Sequence, residues 1–208
     1  MNVSTVPVHT NEADSRQKRR AEILAAASAL FAEQGYHKAS ISGIIERANI
    51  ARGTFYLYFS SKHAILEAIL DEAIQGLRAR IRRIDMGRDA PSPRQQLRDN
   101  ILRVLQYVTS EPALTQLVLE HGLGPDDEVA ERVLRFYRHA SELIESSLRH
   151  GIELGVVRDC DVGVTAAASL GAIRGVVAHL LLGDSEADLE QVTDEVIAFA
   201  LGGLGFPG

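Results

Sequence analysis

An all-α fold with an N-terminal and a C-terminal helical part is predicted by three features of the chain. Apolar residues recur every three or four positions, Gly and Pro separate these segments, and no segment alternates apolar and polar residues between hairpin turns. The 208 residues, 46% hydrophobic and 24% charged, have a globular composition and suffice for one large domain or two small ones. We expect a helical domain over residues 15–63 and a second one over 64–208.

The first predicted helix follows a tail, residues 1–14, that shows no periodicity and is expected to be disordered. Asp14 or Ser15 is a suitable N-cap for this helix, and Gly35 is a suitable C-terminal residue because it tolerates a left-handed backbone. The residues expected on the buried face of the helix lie at helical spacing: Ile23, Ala27, Leu30 and Phe31.

Two short helices joined by a tight turn are predicted next. Ser40 is the expected cap of the first, and the second runs from Arg52 to about Tyr58. Asn49 suits the turn between them because Asn accepts a positive φ more readily than other non-glycine residues. A longer connecting helix, residues 62–84, is capped by Ser60 or Ser61. This spacing predicts a helix-turn-helix with supporting helices on either side.

The C-terminal part is predicted to contain five more helices. The segment Met86–Pro93 contains one Gly and two Pro residues and marks a break. Shorter breaks follow, and the helices between them are expected at 94–109, 113–121, 127–154, 161–182 and 187–203.

Charge is distributed unevenly along the chain, although the formal net charge is −6. Residues 15–63 carry eight Lys and Arg side chains against three acidic ones, a balance of +5. Residues 64–208 carry fourteen basic and twenty-three acidic side chains, a balance of −9. A basic N-terminal domain on an acidic body is suited to attract phosphates at one end only. Such a cluster can also be an ordinary solvated surface.

The second helix of the pair is expected to enter the major groove of DNA. Phe55 and Phe59 lie four residues apart and should pack inward. Arg52 can donate two hydrogen bonds to guanine, and Thr54 can offer a hydroxyl or a methyl group to a base. The candidate DNA-binding residues are Lys38, Ser40, Ser42, Arg52, Gly53, Thr54, Tyr56, Leu57, Tyr58 and Lys62, of which the tyrosines and Lys62 are expected to contact phosphates.

Residues 23–66, ILAAASALFAEQGYHKASISGIIERANIARGTFYLYFSSKHAIL, resemble the N-terminal domain of TetR-type (TetR/AcrR) transcriptional regulators. The resemblance implies that Ser40 and Ser42 touch phosphates of a pseudo-palindromic operator, and that a small-molecule effector releases a repressor. Asn49 stands where the family commonly has Gly, and Ala51 where it has Ser or Thr. The second departure removes a phosphate contact, so Ala51 is not a candidate.

The resemblance also implies a homodimer and an effector pocket among residues 94–182, whose occupation shifts the connecting helix. The dimer surface is expected on the helices at 161–182 and 187–203, which are rich in apolar and small residues and could instead complete the core of one chain. The candidate ligand residues are polar or aromatic side chains on mainly apolar stretches: Tyr107, Gln116, His121, Tyr137 and Arg174. Each could equally be an ordinary core or interface residue.

Other classes of function find less support in the sequence. There is no nucleophile elbow, phosphate-binding glycine loop or paired His/Glu zinc motif, which argues against an enzyme. The four histidines after residue 120 show no metal-ligand spacing, and we expect neither a metal nor a cofactor. A single Cys, the absence of a secretion signal and an apolar stretch interrupted by Arg174 and His179 favour a cytoplasmic protein over a secreted or membrane one. A helical adaptor that binds only protein is the remaining alternative, and the basic N-terminal domain speaks against it.

Overall fold

The computed structural model describes residues 9–120, 127–182 and 187–202, and within these ranges all regular structure is helical. The prediction of an all-α protein is therefore confirmed. The helices are α1 (His9–Gln34), α2 (Ile41–Arg47), α3 (Arg52–Tyr58), α4 (Lys62–Arg80), α5 (Pro93–Ser110), α6 (Pro112–Glu120), α7 (Asp127–Glu153), α8 (Val162–Leu182) and α9 (Leu189–Gly202).

The chain divides into two compact units, Met1–Ile69 and Leu70–Gly208. Their boundary falls inside α4, a few residues beyond the 63/64 limit expected from the sequence. In the first unit α1 packs on α2, and α2 packs on α3. In the second unit α7 packs on α8, while α5 contacts α6, α8 and α9.

The core of the first unit contains the apolar residues of α1 that were predicted to face inward, together with side chains of α2, α3 and α4. Because the four residues predicted on the buried face of α1 are all buried, the predicted inward face is confirmed. Burying a large apolar side chain contributes roughly 1.5–3 kcal/mol, so this small core carries most of the stabilisation of the helix pair. Its members include Ile23, Ala27, Leu30, Phe31, Ile44, Phe55, Phe59, Ile65 and Leu66.

The helices α2 and α4 begin at caps expected from the sequence, whereas α1 is an exception. Ser40 accepts a hydrogen bond from the Gly43 N–H at 3.1 Å, and Ser61 accepts one from the Ala64 N–H at 3.1 Å. The exception is α1, which begins at His9 and not at Asp14 or Ser15. No Gly or Pro lies between His9 and Gln34, so nothing in the chain stops the helix at a good cap. The predicted tail of residues 1–14 was therefore too long, and residues 1–8 lie outside the described ranges.

The connection between α4 and α5 is held by two side-chain amides of α5. Asn100 accepts from the Arg82 N–H and donates to the Arg82 carbonyl, both at 2.8 Å. One turn earlier, Gln96 accepts from the Asp85 N–H at 2.8 Å and donates to the Asp85 carbonyl at 2.7 Å. These amides satisfy backbone groups that a longer helix would have paired internally. This explains why α4 ends at Arg80 and not at the expected residue 84.

Helix α8 is apolar and yet mostly exposed within one chain. Val162–Leu181 is long and apolar enough to cross a membrane by length and composition alone, but few of its residues are buried. Ala166 and Val177 are buried, whereas Val164 is 66% exposed. Gly171 and Gly175 have no heavy atom within 4 Å of the place where a Cβ would be. The surface of α8 is thus open and has room for close approach by another helix.

Candidate nucleic-acid interface

Helix α3 has a buried side and an exposed side, as the spacing of its aromatic residues predicts. Phe55 is fully buried, and Phe59 is 5% exposed just after the helix ends. On the opposite side Tyr56 is 46% exposed and Leu57 is 74% exposed. Because the two phenylalanines fix which way the helix faces, the remaining side chains are presented outward as one surface.

The turn before α3 has the backbone that its sequence favours. Asn49 has φ of 50°, the left-handed region that few residues other than Gly and Asn accept readily. The Asn49 N–H donates to the Glu46 carbonyl, and the Ile50 N–H donates to the Ile45 carbonyl. These bonds close α2 and set the direction in which α3 begins. Asn49 therefore supplies the left-handed residue that this turn requires.

The exposed side of α3 presents the cation of Arg52, the aromatic ring of Tyr56 and, at Gly53, backbone that no side chain covers. The guanidinium of Arg52 lies 5.9 Å from the ring centroid of Tyr56, one helical turn away. A methyl group at Gly53 would meet no atom of the described residues within 4 Å, so packing against them does not require glycine there. Thr54 and Tyr58 are half-buried at the edges of this surface. The arrangement fits a helix that brings its backbone close to an external surface.

The other candidate DNA-binding residues lie in the first turn of α2 and in the loop that precedes it. Ser40, Ser42 and Lys38 are all exposed to solvent. The Ser40 hydroxyl already accepts the capping bond, but it keeps its own hydrogen for an outside acceptor. These side chains can meet phosphate oxygens without first giving up a contact made by the folded chain.

Lys62 occupies a different position from the one expected. Its ammonium group donates to the carbonyl oxygens of Tyr36, His37 and Ala39 at 2.8, 3.3 and 3.0 Å. It also lies 4.3 Å from the centroid of the Tyr36 ring. An ammonium group has three N–H donors, and all three are used here. Lys62 thus ties the start of α4 to the loop between α1 and α2, and the structure does not place it among the residues free to bind phosphate.

Two further contacts that the sequence did not reveal brace the helix pair. Arg47 at the end of α2 forms an ion pair with Glu33 of α1 at 2.7 Å, and this hydrogen bond lowers the pKa of the Glu33 carboxyl. Arg20 lies 5.5 Å from the centroid of the Phe59 ring. These contacts could not be predicted from the sequence, because the partners of Arg47 and Arg20 lie fourteen or more residues away along the chain.

The candidate ligand residues of the second unit do not form one cluster in the described part of the chain: Tyr137 and Arg174 lie together, and Tyr107 has other neighbours. The Tyr137 hydroxyl donates to the Val118 carbonyl at 3.2 Å, and the Arg174 guanidinium lies 5.3 Å from the Tyr137 ring. Arg174 also donates to the Leu119 carbonyl at 3.4 Å, so these two residues join α6, α7 and α8. Burial raises the pKa of the Tyr137 hydroxyl, with Arg174 opposing the shift.

Tyr107 is packed against α4. A side chain at Gly76 would collide with the Tyr107 ring in its present position, and the Arg80 guanidinium lies 3.9 Å from the centroid of that ring. Burial likewise raises the pKa of Tyr107. Gln116 is exposed on α6, and His121 lies outside the described residues. In the described part of the chain, no group of three or more acidic, His or Cys side chains is placed to hold a metal ion.

Comparison with known proteins gives a family match at the same residues. Residues 23–69 match the family model described as bacterial regulatory proteins, tetR family. The transcriptional activator FasR of Mycolicibacterium smegmatis is 26% identical over 195 residues, which cover 91% of this chain and 84% of that protein. The fatty acid metabolism regulator protein of Bacillus subtilis is 25% identical over 187 residues, covering 88% and 94%.

Solved structures share the fold over most of the chain. The transcriptional regulator FadR from Bacillus subtilis, solved in complex with stearoyl-CoA, aligns with a TM-score of 0.73 at 22% identity. The alignment covers 88% of this chain and 98% of that one. The relatives are bacterial transcription regulators, and none of the three proteins compared here is described as an enzyme.

Proposed function

We propose that the chain, whose residues 23–69 match the tetR family model, is a TetR-type DNA-binding transcriptional regulator. It would act as a cytoplasmic homodimeric repressor that a fatty acyl effector releases from its operator. The observation that supports DNA binding by this chain most directly is the outward surface of α3. Arg52, Tyr56 and Leu57 are exposed on one side of a helix whose other side is anchored by Phe55. Arg52 and Tyr56 carry hydrogen-bond donors that suit base edges and phosphates in a major groove.

DNA binding is tested with the full-length protein and genomic fragments at two salt concentrations. A regulator of this kind should select a pseudo-palindromic site and lose affinity steeply as salt rises, because each neutralised phosphate releases counterions. The absence of binding to any fragment at low salt would refute the proposal. Transcription from the selected site in the presence and absence of the protein then separates repression from activation.

A second copy of the chain is the proposed partner of the open face on α8 and α9. One short recognition helix reads few base pairs, so two copies on a two-fold operator are needed for affinity and specificity. Among the exposed residues on these helices, several are small or apolar, which suits close helix packing: Ala167, Ala168, Gly171, Gly175, Phe199 and Leu201. An aqueous dimer would bury this face, whereas a membrane-spanning α8 would require detergent to keep the protein in solution.

The effector is proposed to be a long-chain acyl thioester. Support comes from the relative described as a fatty acid metabolism regulator, and from the fold relative that was solved with stearoyl-CoA. In this chain, Arg174 and Tyr137 are the leading candidate contacts, since a guanidinium over a phenol ring can meet the polar end of such a molecule. Tyr107, Gln116 and His121 remain candidates as well.

Effector binding is tested by titrating palmitoyl-CoA into a preformed protein–operator complex, with CoA and palmitate titrated separately. Palmitoyl-CoA below its micellar concentration should dissociate the complex, and CoA should not. Arg174→Met should raise the required concentration by about tenfold, the typical cost of one charge-assisted contact, while operator affinity stays unchanged. Release by no acyl-CoA of any chain length would contradict this choice of effector and leave the DNA-binding proposal standing.

A further inference from the structure

Leu57 is an apolar side chain in a place where polar ones would be expected. It is 74% exposed, more than any other large apolar residue recorded as exposed in the described part of the chain. It lies on the recognition helix, whose exposed residues at other positions include Arg52 and Tyr56. Single exposed apolar residues are common on protein surfaces, so what distinguishes Leu57 is its place on the outward side of the recognition helix, next to the proposed DNA contacts Arg52 and Tyr56.

The neighbouring residue leaves room for such a contact. Gly53 lies one helical turn before Leu57 and presents no side chain, and a Cβ there would meet no atom within 4 Å. Leu57 therefore projects beside bare backbone, while Arg52 and Tyr56 form the adjacent row. A helix that approached DNA along the Gly53–Leu57 row would bring the Leu57 side chain into the groove.

The major groove offers one apolar group to a side chain that cannot donate or accept a hydrogen bond. This group is the 5-methyl of thymine, which distinguishes an A·T pair from the other pairs by shape and hydrophobicity. Phosphates and the polar edges of bases would be desolvated by Leu57 without compensation. We propose that Leu57 packs against a thymine 5-methyl group in each operator half-site and thereby specifies thymine at that position.

This inference rests on the proposed operator binding, and it predicts a modest and localised effect. Removing one buried methyl group should weaken binding about fourfold in one half-site, and about sixteenfold when both symmetric half-sites lose it. The effect should depend on Leu57 alone, because Arg52 and Tyr56 contact polar groups that the methyl does not affect.

The test uses the full-length protein and the operator isolated from genomic fragments. Each thymine is replaced in turn by deoxyuridine, which removes the methyl and leaves every hydrogen-bonding group in place. Wild type and Leu57→Ala are compared at low salt, where weakened binding is still measurable. Leu134→Ala serves as the matched control, since Leu134 is a leucine of α7 that is 54% exposed. Leu57 makes no buried contact, so Leu57→Ala is expected to fold normally.

The expected result is a single sensitive thymine in each half-site for wild type and for Leu134→Ala, and no sensitivity at that position for Leu57→Ala. Equal binding of wild type to every substituted operator would overturn the inference, as would an unchanged thymine preference in Leu57→Ala. A uniform loss of affinity in Leu57→Ala, with thymine sensitivity retained, would also overturn it. In each of these results the operator is still bound, so the proposed function survives; failure to bind any DNA would remove both.

Discussion

Arg52 and Lys62 carry the same charge in the DNA-binding unit, but their surroundings give them different roles. Arg52 is exposed, with its guanidinium 5.9 Å from the centroid of the Tyr56 ring, so its donors face solvent and can reach a base. Lys62 has all three donors engaged on backbone carbonyls. The sequence pattern predicted both as DNA-binding residues. Only the structure shows that Arg52 is available to DNA, whereas Lys62 binds the loop between α1 and α2.

Arg52→Ala should reduce sequence discrimination at one operator position by about 1–3 kcal/mol, the usual value of one bidentate contact to guanine. The measurement is the affinity for the operator and for its single-base variants, compared between wild type and the mutant. Because Arg52 lies outside the core, dimer mass and thermal stability should be unchanged. Equal loss of affinity on all sequences would show that Arg52 binds a phosphate and not a base.

Lys62→Met should lower the free energy of unfolding by about 1–3 kcal/mol, because the carbonyls of Tyr36, His37 and Ala39 lose a charged donor. Chemical denaturation measures this change. Lys38→Met is the matched control, since Lys38 is exposed. The control should leave stability unchanged and reduce the salt dependence of DNA binding by about one phosphate. The reverse pattern, with Lys62→Met stable and less salt-dependent, would return Lys62 to the phosphate contacts.

At the level of helices, the helical spacing predicted each element and most of the ends. Caps and turn residues gave the start of α2 and the turn at Asn49 because these signals lie within a few residues of the end that they mark. The ends of α1 and α4 were wrong for a common reason. A helix continues or stops according to competing partners for its backbone, and the partners of residues 82 and 85 are amides on α5.

Asn100→Ala should therefore destabilise the second unit by about 2 kcal/mol, because it leaves the Arg82 N–H and carbonyl without their partner. Denaturant unfolding provides the measurement. Gln95→Ala on the same helix is the control, since Gln95 makes only an exposed contact to Asp99 and should change stability little. If both variants unfold alike, the amide of Asn100 does not hold the connection.

At the level of the whole molecule, the open face of α8 tests the proposed dimer. Gly171→Leu adds a side chain for which a single chain has room, since no atom lies within 4 Å of the built Cβ. The same side chain would prevent another helix from approaching closely, so we expect a folded monomer with weakened operator binding. Sedimentation measures the mass. Gly171→Ala adds only a methyl group and should disturb the dimer less; an undisturbed dimer in Gly171→Leu would place the interface elsewhere.

The sequence by itself determined the helical class, the helix-turn-helix and the inward direction of Phe55 and Phe59, because these depend on spacing within one or two helical turns. The tertiary structure decided the role of Lys62, whose carbonyl partners lie 23 to 26 residues away. It also decided how far α8 is exposed. The apolar composition of this helix fits a buried core helix and an interface helix equally well. Local periodicity specifies which face of a helix is apolar. What that face or a charged side chain contacts depends on distant residues, and only folding brings these together.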